Sequence, residues 1–110
     1  MSSRGPDIAP LSIRNTVRAG RHTLALTGEL DLDSANELEE AVREVCASGT
    51  GLVIDLRKVT FMDSTGLRVL IRAGTLCEEK GHELRIIPGE GIQRILEVSG
   101  LDRVLPFTSR

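Results

Sequence analysis

Hydrophobic and polar residues alternate in two short runs near the start of the chain. The runs cover residues 11–17 and 22–32, and Gly20 lies in the segment between them. In the second run, leucines alternate with small or polar residues, which is the period of a strand with one buried face. Gly28 interrupts this alternation and predicts a bulge or a close approach of another backbone. We therefore predict two strands joined by a turn at Gly20.

Two longer segments have the spacing of helices. Ser34 and Glu37 form a capping-box pattern that predicts a helix start, with each side chain bonding to the backbone N–H of the other residue. Gly49 and Gly51 end that helix. A second helix is predicted over 64–80, closed by Gly81. Its apolar positions form two adjacent stripes, so we expect burial around most of its circumference. The remaining narrow polar stripe consists of Arg68, Arg72, Thr75 and Glu79.

The other segments complete an alternation of strands and helices. Residues 52–56 are almost continuously apolar, as in a central strand covered on both faces. Residues 84–87 predict a further strand ended by Pro88, and a short third helix stops at Gly100. Residues 101–107 then close the domain. The apolar face of the third helix consists of Ile92, Ile95 and Leu96. This order predicts an α/β domain in which helices pack on a mixed sheet.

Composition limits the kinds of partner. The chain has 110 residues, which fits a flexible tail over 1–10 and a single domain over 11–110. A net charge of −2 and an aromatic content of 2% argue against direct binding of nucleic acid. No apolar stretch reaches the roughly 18–20 residues of a membrane span, and the start lacks a signal-peptide core. We therefore expect a cytoplasmic protein without a membrane partner.

Candidate catalytic groups are sparse. The two histidines, His22 and His82, lie at predicted strand edges, where a solvated side chain is the simplest interpretation. Asp31 and Asp33 form a carboxylate pair, but Asp33 is better explained as a negative charge near a helix start. The glycine-rich segment 88–91 lacks the rest of a phosphate-binding motif and fits a helix-initiating turn. We expect no enzyme activity, no cofactor and no metal site.

The two cysteines, Cys46 and Cys77, are too few for a disulfide scaffold and lack the spacing of a metal site. Each falls among apolar residues of a predicted helix, which favours a small buried side chain. A disulfide between them requires the two helices to lie side by side, with Cα atoms within about 7 Å.

The segment 59–67 is the most distinctive in the chain. Hydrophobic residues lead into Asp63 and Ser64, either of which explains a helix N-cap by itself. That interpretation leaves two consecutive hydroxyl residues unexplained, as well as Gly66, where alanine is better by about 1 kcal/mol in a helix. We interpret the missing side chain at Gly66 as an opening that lets another backbone or protein surface approach Ser64.

Four blocks of sequence resemble the STAS-domain anti-anti-sigma factors of bacteria, also called anti-sigma factor antagonists. The resemblance extends over residues 11–108, and the Asp-Ser-Thr-Gly-Leu sequence beginning at Asp63 is typical of the phosphorylatable members. The blocks are 28–31, 53–56, 61–67 and 98–101. The resemblance implies the STAS fold, a mixed sheet of four to five strands packed against three to four helices.

The resemblance also implies a partner-switching cycle. The unphosphorylated protein would bind an anti-sigma factor, which is a serine kinase of the histidine-kinase-like ATPase fold, and thereby release a sigma factor. The kinase would phosphorylate Ser64 and end the interaction, and a PP2C-type phosphatase would restore it. The implied partner-binding positions are Asp31, Asp63, Thr65, Gly66, Leu67 and Arg68.

Two alternatives stay open at this point. Members of the family often have glycine where this chain has Arg68, which lies four residues after Ser64 on the same helix face. Arg68 is either a solvated residue or a determinant of partner choice that can also pair with a phosphate. The alternative function is a STAS interaction subunit of a larger complex, such as a stress-sensing scaffold or a lipid-transport machine, that phosphorylation does not regulate.

Overall fold

The computed structural model describes residues 10–48 and 51–100, with the side chains of residues 48, 95, 96 and 99 excepted. Its elements, in chain order, are β1 (Ser12–Arg18), β2 (Arg21–Leu30), α1 (Ala35–Ser48), β3 (Gly51–Met62), α2 (Ser64–Lys80), β4 (Glu83–Ile87) and α3 (Glu90–Ser99). The predicted order of strands and helices is confirmed over these ranges. Four predictions fall outside the described residues: the N-terminal tail up to residue 9, the helix stop at Gly49, the closing segment 101–107, and the packing of Ile95 and Leu96.

The first two strands form the predicted hairpin. They pair antiparallel with Arg18 opposite Arg21, so Ala19 and Gly20 alone make the turn. Both have positive φ, 53° for Ala19 and 81° for Gly20. A two-residue turn of this kind matches the twist of the strands but favours Asn or Gly at both positions. The turn at Gly20 is confirmed, and Ala19 adopts the left-handed conformation that its Cβ disfavours.

The central strand β3 is longer than its apolar run suggests. The pattern predicts a strand over 52–56, whereas β3 extends to Met62. Its second half exposes Arg57, Lys58 and Thr60, yet the backbone continues to pair with β2. A continuous apolar pattern therefore marks the more buried part of the strand and not its full length. The predicted cover on both faces is only partial, since Val53 and Asp55 are half-buried.

The sheet has the order β1-β2-β3-β4, in which β2, β3 and β4 are parallel. The β2–β3 register shifts twice, once between Gly28 and Glu29, and Gly28 has a φ of 109°. The predicted irregularity at Gly28 is therefore confirmed. Because β2 and β3 are parallel neighbours, their carboxyl ends, Leu30 and Met62, pair at the same edge of the sheet.

The core is aliphatic and lies between the sheet and the helices. Helices α1 and α2 contact each other, and α3 contacts β3. Leucine and isoleucine side chains of the three parallel strands are almost completely buried. They are Leu24, Leu26, Leu30, Leu52, Ile54, Leu56 and Ile86.

Helix α2 is buried on one side only. Its buried residues are Gly66, Val69, Leu70, Ala73 and Cys77. Leu67 and Gly74 are half-buried, and Ile71 is 38% exposed. The prediction that α2 is buried around most of its circumference is therefore wrong. Within the described ranges, one side of the helix packs on the sheet and on α1, and Ile71 faces outward.

Glycines mark two helix boundaries as predicted. Gly81 follows α2 with a φ of 73°, and its N–H donates to the carbonyls of Cys77 and Glu78. At the start of α3, the carbonyl of Gly89 accepts the N–H of Gln93 at 2.8 Å. The helix-initiating interpretation of segment 88–91 is thus confirmed.

Candidate functional site at the start of α2

Asp63 is the N-cap of α2. Its side-chain oxygen accepts the backbone N–H groups of Thr65 at 2.9 Å and Gly66 at 3.1 Å. Its carbonyl oxygen accepts the N–H of Leu67 at 3.1 Å. The Asp63 side chain therefore bonds to two helix-start donors that would otherwise lack partners, and its carbonyl accepts the first bond of the helix itself. Of the two residues that the sequence offered as the cap, Asp63 performs this role.

Ser64 is the first residue of α2 and is exposed to solvent. Since the aspartate before it caps the helix, the Ser64 hydroxyl is not required for that purpose. The side chains of the next turn differ in exposure: Thr65 and Leu67 are half-buried, and Arg68 is exposed. The structure thus places an accessible hydroxyl next to a fixed carboxylate.

Gly66 has a different role from the one that we inferred from the sequence. It is buried, and a Cβ at this position would lie 2.8 Å from Met62 Cγ, 2.9 Å from Leu30 Cγ and 2.9 Å from the Leu30 carbonyl oxygen. The backbone that approaches Gly66 is therefore that of β2 in the same chain. Gly66 allows α2 to start close against the end of the sheet, and the expectation that it opens Ser64 to a partner is wrong.

Asp31 organises the loop between β2 and α1. Its side-chain oxygen accepts the N–H groups of Asp33 at 3.1 Å and Ser34 at 3.2 Å, and its carbonyl accepts the N–H of Ala35 at 2.8 Å. The half-buried Asp31 carboxylate thus has a structural role at the very edge where the family resemblance implies partner contact.

The predicted capping box at Ser34 and Glu37 is wrong. The Ser34 hydroxyl is buried and turns back toward the sheet, where it donates to the Glu29 carbonyl at 2.8 Å and accepts the N–H of Asp31 at 3.0 Å. The N–H of Glu37 bonds to the Ser34 carbonyl instead, at 3.1 Å. A buried hydroxyl satisfied by the end of β2 is no longer available to cap α1.

The two acidic positions meet at one edge of the sheet. Leu30 pairs with Met62, and the N–H of Asp63 donates to the Leu30 carbonyl at 3.3 Å. Asp31 and Asp63 follow directly after these paired residues. We call this region the switch edge, comprising the 31–34 loop, the end of β3 from Phe61, and the first turn of α2 over 63–68.

Exposed hydrophobic side chains lie at the switch edge and were missed by the sequence analysis. Leu32 is 73% exposed and Phe61 is 48% exposed. Ile71, seven residues after Ser64, is on the outward side of the same helix. Leu32 lies between two aspartates at the end of a predicted strand, which is a signal that the chain turns away from the core there.

In residues 10–48 and 51–100, no group of three or more His, Cys, Asp or Glu side chains is arranged to hold a metal ion. Over the same ranges, no helix has the length and apolar character needed to cross a bilayer. His22 Nδ1 lies 3.1 Å from Asn15 Oδ1. His82 is half-buried, and its Nδ1 is buried with no hydrogen-bond partner among the described residues, so the interpretation of His82 as solvated holds only in part.

The sequence and the fold are similar to those of known proteins. The family model described as "Mlab, STAS domain" matches residues 15–106. The anti-sigma-F factor antagonist RsfB of Mycobacterium tuberculosis is 39% identical over 107 residues, with 92% of this chain and 85% of that protein covered.

Solved structures agree with the sequence relatives. A crystal structure of an anti-sigma factor antagonist from Mycobacterium paratuberculosis superimposes with a TM-score of 0.79 at 29% identity, covering 96% of this chain and 90% of the other. The phosphorylated form of SpoIIAA from Bacillus superimposes with a TM-score of 0.69 at 16% identity, covering 90% of this chain and 93% of the other. At that identity the similarity concerns the fold only. Because the family match spans most of the residues and the four-stranded architecture is shared, the resemblance is confirmed and the chain belongs to the STAS domain family.

Proposed function

We propose that this STAS domain is an anti-sigma factor antagonist that binds its partner through the switch edge and that phosphorylation of Ser64 ends the interaction. The observation that carries the proposal is the exposed Ser64 hydroxyl directly beside the Asp63 cap at the start of α2. The name of RsfB, anti-sigma-F factor antagonist, supports the class of partner. The structure of SpoIIAA in a phosphorylated form shows that a protein of this fold accepts a phosphate.

The exposed apolar side chains supply the attraction. Burying one fully exposed leucine side chain against a partner contributes about 1.5–3 kcal/mol. Leu32 and Phe61 flank the acidic residues of the switch edge, and Ile71 extends the apolar surface along α2. Hydrophobic anchors surrounded by charged residues are typical of a docking surface with a specific register.

The Asp63 cap makes a phosphate on Ser64 unfavourable for docking. Phosphorylation adds a charge of about −1.5 to −2 at pH 7. The N–H groups of Thr65 and Gly66, which would otherwise attract an anion, already donate to the Asp63 side chain. The phosphate therefore adds to an existing negative charge at the switch edge. Like charges brought together in an interface cost several kcal/mol, and about 1.4 kcal/mol corresponds to a tenfold loss of affinity.

The proposed cycle needs two further proteins. A serine kinase with the histidine-kinase-like ATPase fold, itself the anti-sigma factor, transfers phosphate from ATP to Ser64. A PP2C-type phosphatase removes it. Nothing in this scheme requires a change of fold, because a negative charge at the first position of a helix is compatible with the helix dipole.

Phosphotransfer is tested with anti-sigma factor kinases of the same organism and ATP. We expect a mass gain of one phosphate, about 80 Da, on the wild-type chain and none on Ser64→Ala. A gain that persists in Ser64→Ala, or no gain with any kinase that binds the chain, would exclude Ser64 as the phosphorylation site.

Binding is tested by calorimetry with Ser64→Asp and a matched control, Thr75→Asp. Thr75 is exposed on the same helix, eleven residues after Ser64, which is about 16 Å along the axis. We expect Ser64→Asp to weaken binding at least tenfold and Thr75→Asp, one turn beyond Ile71, to weaken it far less. Equal binding by Ser64→Asp and wild type would instead support the alternative, a STAS interaction subunit of a larger complex without phosphorylation control.

Arg68 distinguishes two ways of using the switch edge. It is exposed one turn after Ser64, so its guanidinium lies on the face that a partner or a phosphate would meet. If Arg68 takes part in partner choice, Arg68→Gly changes the order of affinities across a set of anti-sigma factors. An unchanged order assigns it to the solvated surface.

A further inference from the structure

Two buried thiols face each other between α1 and α2. Cys46 Sγ and Cys77 Sγ are 3.7 Å apart, although the residues are 31 positions apart in the sequence. The two cysteines are 4% and 1% exposed, respectively. The sulfur contact shows that the two helices lie side by side, as a disulfide between them requires.

The fold fixes this pairing. Helices α1 and α2 each follow one of two neighbouring parallel strands, so they run in the same direction on the sheet and their carboxyl-terminal halves lie together. Arg72 of α2 donates to Glu39 of α1 at 3.3 Å, which joins the same two helices nearer their starts. The sulfur contact is therefore part of the helix interface and does not depend on a loop.

We propose that Cys46 and Cys77 form a redox modification site, in which hydrogen peroxide converts the thiol pair to a disulfide that ties α1 to α2. Cys46, the more exposed of the two, attacks peroxide as the thiolate and breaks its O–O bond. The products are a sulfenic acid at Cys46 and one water, which takes up the thiol proton. The Cys77 sulfur then attacks the Cys46 sulfur, and the sulfenic oxygen leaves as a second water with the Cys77 proton. Two thiols are oxidised by two electrons, and one peroxide is reduced to two waters.

The geometry suits this reaction. A disulfide has a sulfur–sulfur distance of about 2.05 Å, so the present separation of 3.7 Å must shorten by roughly 1.7 Å. In the proposed reaction, rotation about χ1 at the two cysteines, whose sulfurs already face each other, supplies this movement. The partner of each oxidised sulfur is in place before the oxidant arrives.

Burial makes the site slow to react. Desolvation, followed by the contact with Cys46, raises the pKa of the Cys77 thiol to about 12. Cys77 is the attacking sulfur in the second step and the thiolate is the reactive form, so this step is slow at neutral pH unless the helices open locally. Hydrogen peroxide is small and uncharged, and therefore reaches the interface more readily than a bulky disulfide does.

The site is independent of the proposed function at the switch edge. Cys77 lies 13 residues after Ser64, which is about 20 Å along α2. The disulfide therefore leaves the Ser64 hydroxyl exposed, and it is detected without any partner protein.

The test is oxidation of the full chain with excess hydrogen peroxide, followed by intact mass and tryptic mapping without reductant. We expect a loss of about 2 Da, a linked pair of peptides covering 44–57 and 73–80, and a melting temperature raised by at least about 5 °C that dithiothreitol restores. The control Cys77→Ala should instead give a sulfenic or higher acid at Cys46 and no linked peptides.

Several results would overturn the proposal. They are unreacted thiols after prolonged exposure to peroxide, sulfinic or sulfonic acids at both cysteines of the wild type, linkage between two chains, and an oxidised form that melts below the reduced one. If Cys77→Ala fails to fold, the peptide map of the wild-type chain still decides between these outcomes.

Discussion

Replacing Gly66 with alanine tests whether the start of α2 depends on a missing side chain. In an exposed helix this change is favourable by about 1 kcal/mol, because alanine has the higher helix propensity. Here the added methyl would lie 2.8 Å from Met62 Cγ and 2.9 Å from both Leu30 Cγ and the Leu30 carbonyl oxygen. The two opposing effects make the sign of the result informative.

The magnitude follows from which neighbours can move. The side chains of Met62 and Leu30 can adjust, but the carbonyl oxygen belongs to the end of β2 and already accepts the N–H of Asp63. Overpacking of a close-packed interior costs about 1–3 kcal/mol, and the fixed oxygen puts Gly66 in the upper part of that range. After subtracting the propensity gain of about 1 kcal/mol, we expect Gly66→Ala to lower the free energy of unfolding by about 1–2 kcal/mol.

The assay is urea and thermal unfolding of the purified chain. The expected loss corresponds to a melting temperature lowered by about 5–15 °C. Gly91→Ala is the matched control, because Gly91 lies in the first turn of α3, is exposed, and has no atom within 4 Å of an added Cβ. It should be neutral or stabilising by up to about 1 kcal/mol. A Gly66→Ala chain as stable as wild type would refute the close-packing explanation and restore a role for Gly66 at the surface.

Three further predictions concern stability. Asp63→Ala should lower the free energy of unfolding by about 1 kcal/mol in urea titrations. Asp63→Asn should keep most of the wild-type stability, because asparagine caps a helix equally well. Ala19→Asn should raise the free energy of unfolding by about 0.5–1 kcal/mol, since Asn before Gly20 suits a turn with positive φ at both positions. A lower free energy of unfolding would contradict the turn geometry. The Arg57 side chain donates to Asp55 at 3.0 and 2.7 Å and lowers the Asp55 pKa. A carboxyl whose pKa is lower in the folded state stabilises the fold above its unfolded pKa of about 4, and this contribution is lost as the pH falls through the folded-state pKa. The difference in unfolding free energy between wild type and Asp55→Asn should therefore narrow below about pH 4, as measured by urea titrations at a series of pH values. A constant difference would assign it to packing.

Local rules predicted the parts of the fold that depend on local contacts. Gly81 ends α2 and Gly28 marks a register shift, because a left-handed or irregular backbone is available to glycine whatever surrounds it. The failures involve partners distant in sequence. The Ser34 hydroxyl bonds to the end of β2 and so is not available to Glu37. Ile71 faces outward, although other apolar positions of the helical pattern in α2 are buried.

The candidate site shows the same division. The sequence identified Asp63 and Ser64 as the start of a helix. Which of the two caps the helix depends on φ and ψ of the cap residue, which no residue pattern specifies. It also identified Gly66 as unusual without indicating what lies against it. The answer, Leu30, becomes available only once β2 and β3 are known to be parallel neighbours.

The start of α2 has three requirements, and three different residues meet them. Asp63 satisfies the helix N–H groups, Gly66 provides the space for Leu30, and Ser64 bears the exposed hydroxyl. Changes at the first two should therefore affect stability, and a change at Ser64 should affect binding while the fold persists. Under the proposed function, this separation would let a modified Ser64 control an interface without unfolding the domain, since the hydroxyl takes part neither in the bonds of the Asp63 cap nor in the packing around Gly66. Under the proposed function, a Ser64→Asp chain that melts like wild type yet no longer binds its partner is the signature of that arrangement.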